Sequence, residues 1–226
     1  GGSTREVGTT APIRGVVLVC LVLVVPLAYS FRLTSFLYAK ELVLHAGLCI
    51  LTVAAALEGR PFSGGARAFA LLWVGLALAG AVHLLIRPAQ LPSAAAIEMV
   101  RDTALLLVPV ATWDLLGDLA WRRRLHGALV ASGGVVAVLG ILQYAGFLRF
   151  LFPIFPGYDQ RVYSVFGNQD LFGGYLAMIL ALALATSAGA GRAQAGVLGI
   201  APVLFAGLLL SGSRSAWAAA AAGGVV

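Results

Sequence analysis

Apolar residues along this chain gather in long blocks instead of alternating with polar ones. Eight blocks stand out: residues 13–30, 41–57, 68–86, 94–116, 125–147, 170–187, 194–211, and one that begins near residue 215. Most have the length that crosses a hydrocarbon core of ~30 Å as a helix. Runs such as residues 176–185 are apolar at every position. A membrane β-barrel needs segments of ~10 residues that alternate apolar and polar. The pattern therefore predicts an all-α polytopic transmembrane helical bundle of eight membrane segments, the last one truncated. The fourth block is less clean, because it holds Glu98, Arg101 and Asp102.

Composition sharpens this. The chain has 226 residues, 61% hydrophobic and 11% charged, with a mean hydropathy of +0.97. Soluble domains carry about 25% charged residues, and disordered chains need low hydrophobicity. Both classes are excluded. No repeat and no long polar insertion divides the chain, so residues 1–226 read as a single transmembrane domain. The start without Met and the end at Val226 inside an apolar run predict the N-terminal part of a longer protein. The first block ends in Ala28-Tyr29-Ser30, a weak cleavage signal; with similar blocks following, it reads as a retained helix.

The net charge is +6. The arginines sit mostly between apolar blocks, which points to lipid headgroups or a phosphorylated lipid and not to nucleic acid. A cytoplasmic N-terminus places eight cations inside, among them Arg122, Arg123 and Arg124, and six outside, among them Lys40, Arg161 and Arg214. The Arg122–Arg124 cluster, read as a short loop, decides the orientation. Cys20 and Cys49 both lie in apolar blocks, and no Cys/His spacing suits a metal. Neither metal nor cofactor is expected. Small residues four apart (Gly75/Ala79, Gly127/Ala131, Ala195/Gly199) suggest close helix contacts.

Chemistry concentrates near residues 159–170. Asn168 suits a helix N-cap, Asp170 the first turn, and Gly167 a sharp bend before them. Capping explains these three but not Arg161, whose guanidinium fork can grip a phosphate in two places. A second polar turn, Ser211-Gly212-Ser213-Arg214, lies on the same predicted outer side. Arg214 can snorkel to headgroups or join Arg161 in a pyrophosphate clamp; its spacing leaves both open. Seven aromatics lie between Phe147 and Phe166, read either as an interfacial belt or as a cradle for a polyprenyl tail. Glu98, Arg101 and Asp102 share a helix face and form an ion-pair cluster or a site. His45 and His83 read as packed residues.

The stretch Ser164-Val165-Phe166-Gly167-Asn168-Gln169-Asp170 after Arg161, followed one helix pair later by Ser211-Gly212-Ser213-Arg214, resembles the signature of the O-antigen ligase/polymerase superfamily. The specific part runs from Arg161 to Trp217. Gln169 departs from it, standing where the family usually has proline. The family's large periplasmic loop, with a further arginine and a histidine, has no counterpart here, so no histidine of this chain is assigned to catalysis. The resemblance implies an inverting, metal-independent glycosyltransferase of the bacterial inner membrane. The implied donor is a glycan on undecaprenyl pyrophosphate, and the implied acceptor is lipid A-core or another glycan. By position, Arg161 and Arg214 take the catalytic role of stabilising the leaving pyrophosphate. Together with Asn168 they would also bind substrate, and the general base is expected beyond Val226. A polysaccharide polymerase or protein O-glycosylating ligase fits the same resemblance. A permease or lipid-linked transporter is the rival from another class.

Overall fold

The computed structural model describes residues 11–28, 36–57, 112–113, 115–148, 162–187 and 193–223. Among them the fold is all-helical, with six α-helices, one 3-10 turn and no strand. The helices are α1 (Ala11–Leu27), α2 (Phe36–Leu57), α3 (Leu119–Tyr144), α4 (Gln169–Ser187), α5 (Ala193–Ser211) and α6 (Arg214–Gly223). The 3-10 turn, Ser164–Phe166, precedes α4. Six of the eight predicted blocks thus reappear as helices. The predicted segments 68–86 and, for the most part, 94–116 lie outside the described residues, and so do Glu98, Arg101, Asp102 and His83. Among the described residues, two helices, α3 and α4, are long and apolar enough to cross a membrane.

The arginine cluster is not a loop. Arg122, Arg123 and Arg124 lie inside α3, which starts earlier than the apolar pattern suggests. Asp118 is the cause: its Oδ1 accepts from the Ala120 N–H at 2.7 Å, and its carbonyl accepts from the Arg122 N–H at 3.0 Å. A capped start lets the helix begin in polar sequence. The other end of α3 closes with Gly146 at φ 81°. There the Phe147 N–H reaches the Leu142 carbonyl and the Gly146 N–H reaches the Gln143 carbonyl, each at 3.0 Å. This is the Schellman arrangement, which satisfies carbonyls that the helix leaves over.

The chain divides into two compact units. One comprises residues 1–21 and 44–123. Its described core holds Leu18, Leu21, Leu48, Leu51, Leu115 and Trp121. Two glycines permit this packing: a Cβ at Gly15 would meet the Trp121 ring, and one at Gly47 would meet the Leu21 side chain.

The other unit comprises residues 22–43 and 124–226. Helix α4 supplies much of its core through Phe172, Leu176, Ile179, Leu180 and Ala183, a spacing that keeps them on one helical stripe. Val136 and Ala137 of α3 and Leu204 and Leu208 of α5 complete that core. Bulky α4 side chains enter gaps above glycines. Phe172 sits where a Cβ on Gly140 would be, Ile179 faces Gly133, and Leu176 faces Gly207. The small-residue pairs expected to form contacts are different ones. Gly127 and Ala131 are exposed, and a Cβ at Gly127 or Gly199 would meet nothing within 4 Å. Gly75 and Ala79 lie outside the described residues. In a chain with 28 glycines, spacing alone selects no contact; the large side chain opposite does.

Adjacent glycines of α4 provide a test. A Cβ on Gly173 would approach Ser211 Oγ to 2.7 Å and Ala216 Cβ to 2.9 Å, whereas Gly174 has open space. Gly173→Ala should destabilise by about 1–3 kcal/mol through overpacking. Gly174→Ala should stabilise by about 0.5–1 kcal/mol through helix propensity. Thermal unfolding of the two variants in one detergent separates them.

Candidate functional site

The turn that leads into α4 is built from polar side chains answering backbone groups. Val162 is buried, and its N–H points to the Leu210 carbonyl at 3.4 Å. The next two N–H groups, of Tyr163 and Ser164, both donate to Gln143 Oε1, at 3.3 and 2.8 Å. Ser164 has φ 47°, a left-handed conformation uncommon for a residue with a Cβ. Its hydroxyl donates to the Val136 carbonyl at 3.1 Å, which holds it there. Gly167 follows at φ 67° and reverses the chain.

Asn168 then caps α4. Its Oδ1 accepts from the N–H groups of Asp170 at 2.7 Å and Leu171 at 3.3 Å, as its place in the sequence predicts. With Oδ1 taken, the donors left on this exposed side chain are its two amide N–H groups. Asp170 stands in the first turn of α4, where a carboxylate complements the helix dipole.

The second polar turn closes onto the first. Ser211 Oγ donates to the Leu208 carbonyl at 2.7 Å, and Gly212 bends the chain at φ 66°. Ser213 caps α6 by accepting from the Ala216 N–H at 3.3 Å. The same hydroxyl donates to Asp170 Oδ1 at 2.6 Å. With that proton committed, its 3.0 Å contact with Ser215 Oγ is one in which Ser215 donates. Gly173 makes this approach possible, since a side chain there would strike Ser211 and Ser213. Trp217 leans back and donates its indole N–H to the Leu208 carbonyl at 3.0 Å.

The sequence-predicted residues fall out as follows. Asn168 and Arg214 flank one hydrogen bond, Ser213 to Asp170. Arg214 is the first residue of α6 and is exposed, with no hydrogen bond or ion pair among the described residues. Its guanidinium is available to an anion. Arg161 lies outside the described residues, so the clamp has one described arm. Of the aromatics, Phe147 is exposed while Tyr163 and Phe166 pack against the core; residues 150–158 lie outside the description. Among the described residues, no three His, Cys, Asp or Glu side chains gather as metal ligands would.

Sequence reasoning missed three supports. Gln143 could have been flagged as a lone amide in an apolar segment, the kind of residue that finds a partner across helices. Tyr175 of α4 donates to Ser132 Oγ at 3.0 Å. Lys40, counted among the outside cations, donates to the carbonyls of Pro26 at 2.6 Å and Ala28 at 2.9 Å.

Set against family models, curated proteins and solved structures, the chain matches none of them.

The two-turn junction makes a prediction. Ser213→Ala removes the α6 cap and leaves Asp170 without its hydroxyl donor, and should cost about 1–3 kcal/mol. Asp170→Asn should cost less, because an amide oxygen still accepts from Ser213. Denaturant or thermal unfolding of both variants and their double mutant measures the coupling.

Proposed function

We propose that this protein is an O-antigen ligase-like glycosyltransferase of the bacterial inner membrane. It is read as a multi-pass protein with a cytoplasmic N-terminus and a site on the outer face. It would transfer a glycan from undecaprenyl pyrophosphate to a sugar hydroxyl, such as one on lipid A-core. One observation carries this reading beyond resemblance. The two turns that bear the motif residues are a single hydrogen-bonded unit, joined through Ser213 and Asp170 at 2.6 Å. Nothing in their spacing along the chain requires that.

The chemistry follows from charge. The acceptor oxygen attacks the anomeric carbon from the face opposite the pyrophosphate. The new C–O bond forms as the old one breaks, and the leaving oxygen keeps the electron pair. The acceptor's proton passes to a general base. Negative charge grows on the leaving group, so fixed cations lower the barrier. Arg214 is exposed at the start of α6, where it can meet that charge. Asn168 can donate its free amide N–H groups to phosphate or sugar oxygens. Asp170 already fills the N-terminus of α4 with negative charge, which favours the Arg214 side for an incoming anion. Arg161 precedes the same turn and is assigned the second cation by resemblance.

In the complete protein, Arg214→Ala should lower glycan transfer by about 10²–10³-fold, as loss of a transition-state donor does. Membrane insertion and expression should be unchanged. Arg214→Lys should fall between, because an ammonium lacks the planar fork. The assay is transfer from a purified lipid-pyrophosphate glycan in proteoliposomes. Full transfer by Arg214→Ala would remove that residue from the site. Movement of the lipid-linked glycan with no glycosidic product would replace the transferase with a transporter.

A further inference from the structure

Among the described residues, Lys40 is the one charged side chain buried close to the turn that opens α4, and the transfer chemistry does not use it. It lies in the first turns of α2 and is 9% exposed. Two of its ammonium protons go to the carbonyls of Pro26 and Ala28, at the end of α1. Those carbonyls are left over where the helix stops, and a cation there also suits the negative end of the dipole. The remaining face of the ammonium lies over the Phe166 ring, 4.8 Å from its centroid. Phe166 belongs to the Ser164–Phe166 turn and immediately precedes Gly167 and the Asn168 cap. The ring also lies against Tyr175, with ring centroids 5.2 Å apart, and Tyr175 is fixed in turn to Ser132 of α3. A desolvated ammonium on an aromatic face is a directional attachment, stronger than the same pair in water.

We propose that Lys40 is a positioning residue for the candidate site: held by the end of α1, it fixes Phe166 and so sets where the Asn168 cap and the N-terminus of α4 sit. The α4 N-terminus carries Asp170, and Asp170 holds Ser213 beside Arg214. Lys40 thus reaches the anion-facing arginine through a chain of contacts without touching substrate. The consequence for transfer rests on the glycosyltransferase reading; the consequence for the turn does not.

Hydrogen–deuterium exchange on the complete protein in nanodiscs tests the attachment directly. Lys40→Met should speed exchange of the amides of residues 164–172 about thirtyfold, the scale of a desolvated cation–π contact. Lys40→Arg should restore most of the protection. Phe166→Leu should give the same acceleration as Lys40→Met, and the double variant no more than either. Residues 44–51 should exchange at the parent rate throughout. Parent-like exchange of residues 164–172 in Lys40→Met, or additive effects of the two substitutions, would overturn the proposal. If Lys40→Met does not accumulate, Phe166→Leu alone decides, because it keeps apolar volume while removing the ring face. In the transfer assay, Lys40→Met should lower kcat about tenfold at unchanged KM, the signature of a lost transition-state arrangement. An unchanged kcat alongside accelerated exchange would confine Lys40 to the fold. An absence of transfer by the parent protein would refute the glycosyltransferase reading and leave the exchange result to stand by itself.

Discussion

Backbone polar groups inside an apolar bundle must find partners within the protein, and the structure around α4 depends on how that demand is met. Helices satisfy it along their length but not at their ends. Where α3, α5, α4 and α6 stop or start, side-chain oxygens take over. Gln143 answers two N–H groups of the 162–164 stretch, Asn168 two of α4, and Ser213 one of α6. Ser164 and Ser211 return a proton to carbonyls of α3 and α5. These polar residues are first of all the means by which irregular backbone survives among leucines and alanines. Their clustering forms a hydrogen-bonded polar rim beside Arg214.

The rim is tied to packing below. Gly173 lets the Ser211–Ser213 turn press against α4, and Gly140 leaves room for both the Phe172 ring and the Val162 side chain. The hydrogen bonds of the rim and the glycine gaps of the core therefore set the same distances. A change in either moves the other, because Asp170 and Phe172 are two residues apart on one helix. Arg214 inherits its place from this geometry even though nothing holds its side chain among the described residues.

Much of this was legible in the sequence, for identifiable reasons. Asn168 followed by Asp170 and an apolar run is a local signal, and caps are local structures. The Gly167 bend was readable in the same way. The start of α3 was misjudged because the apolar pattern begins at Leu125, whereas Asp118 begins the helix. The pattern reports burial, and three exposed arginines are helical without being buried. The Gln143, Lys40 and Ser213–Asp170 contacts were illegible because each joins residues far apart in the chain. No spacing rule specifies which glycine faces which large side chain. The resemblance rests on residues of both turns, but it carries no information about their junction.

The position of the arginines within α3 has a further consequence, one of depth. A helix rises ~1.5 Å per residue, so Arg124 and Gln143 lie ~28 Å apart along the axis. A hydrocarbon core is ~30 Å thick. In a bilayer, arginines pinned at one headgroup layer would therefore bring Gln143 to the opposite one. The amide that seats the 162–164 backbone is thus one end of a ruler whose other end is basic. Lengthening or shortening α3 between them by a residue would raise or sink the whole polar rim, and would rotate it by ~100° as well. In such a bilayer one helix would set the depth of both Arg124 and Gln143.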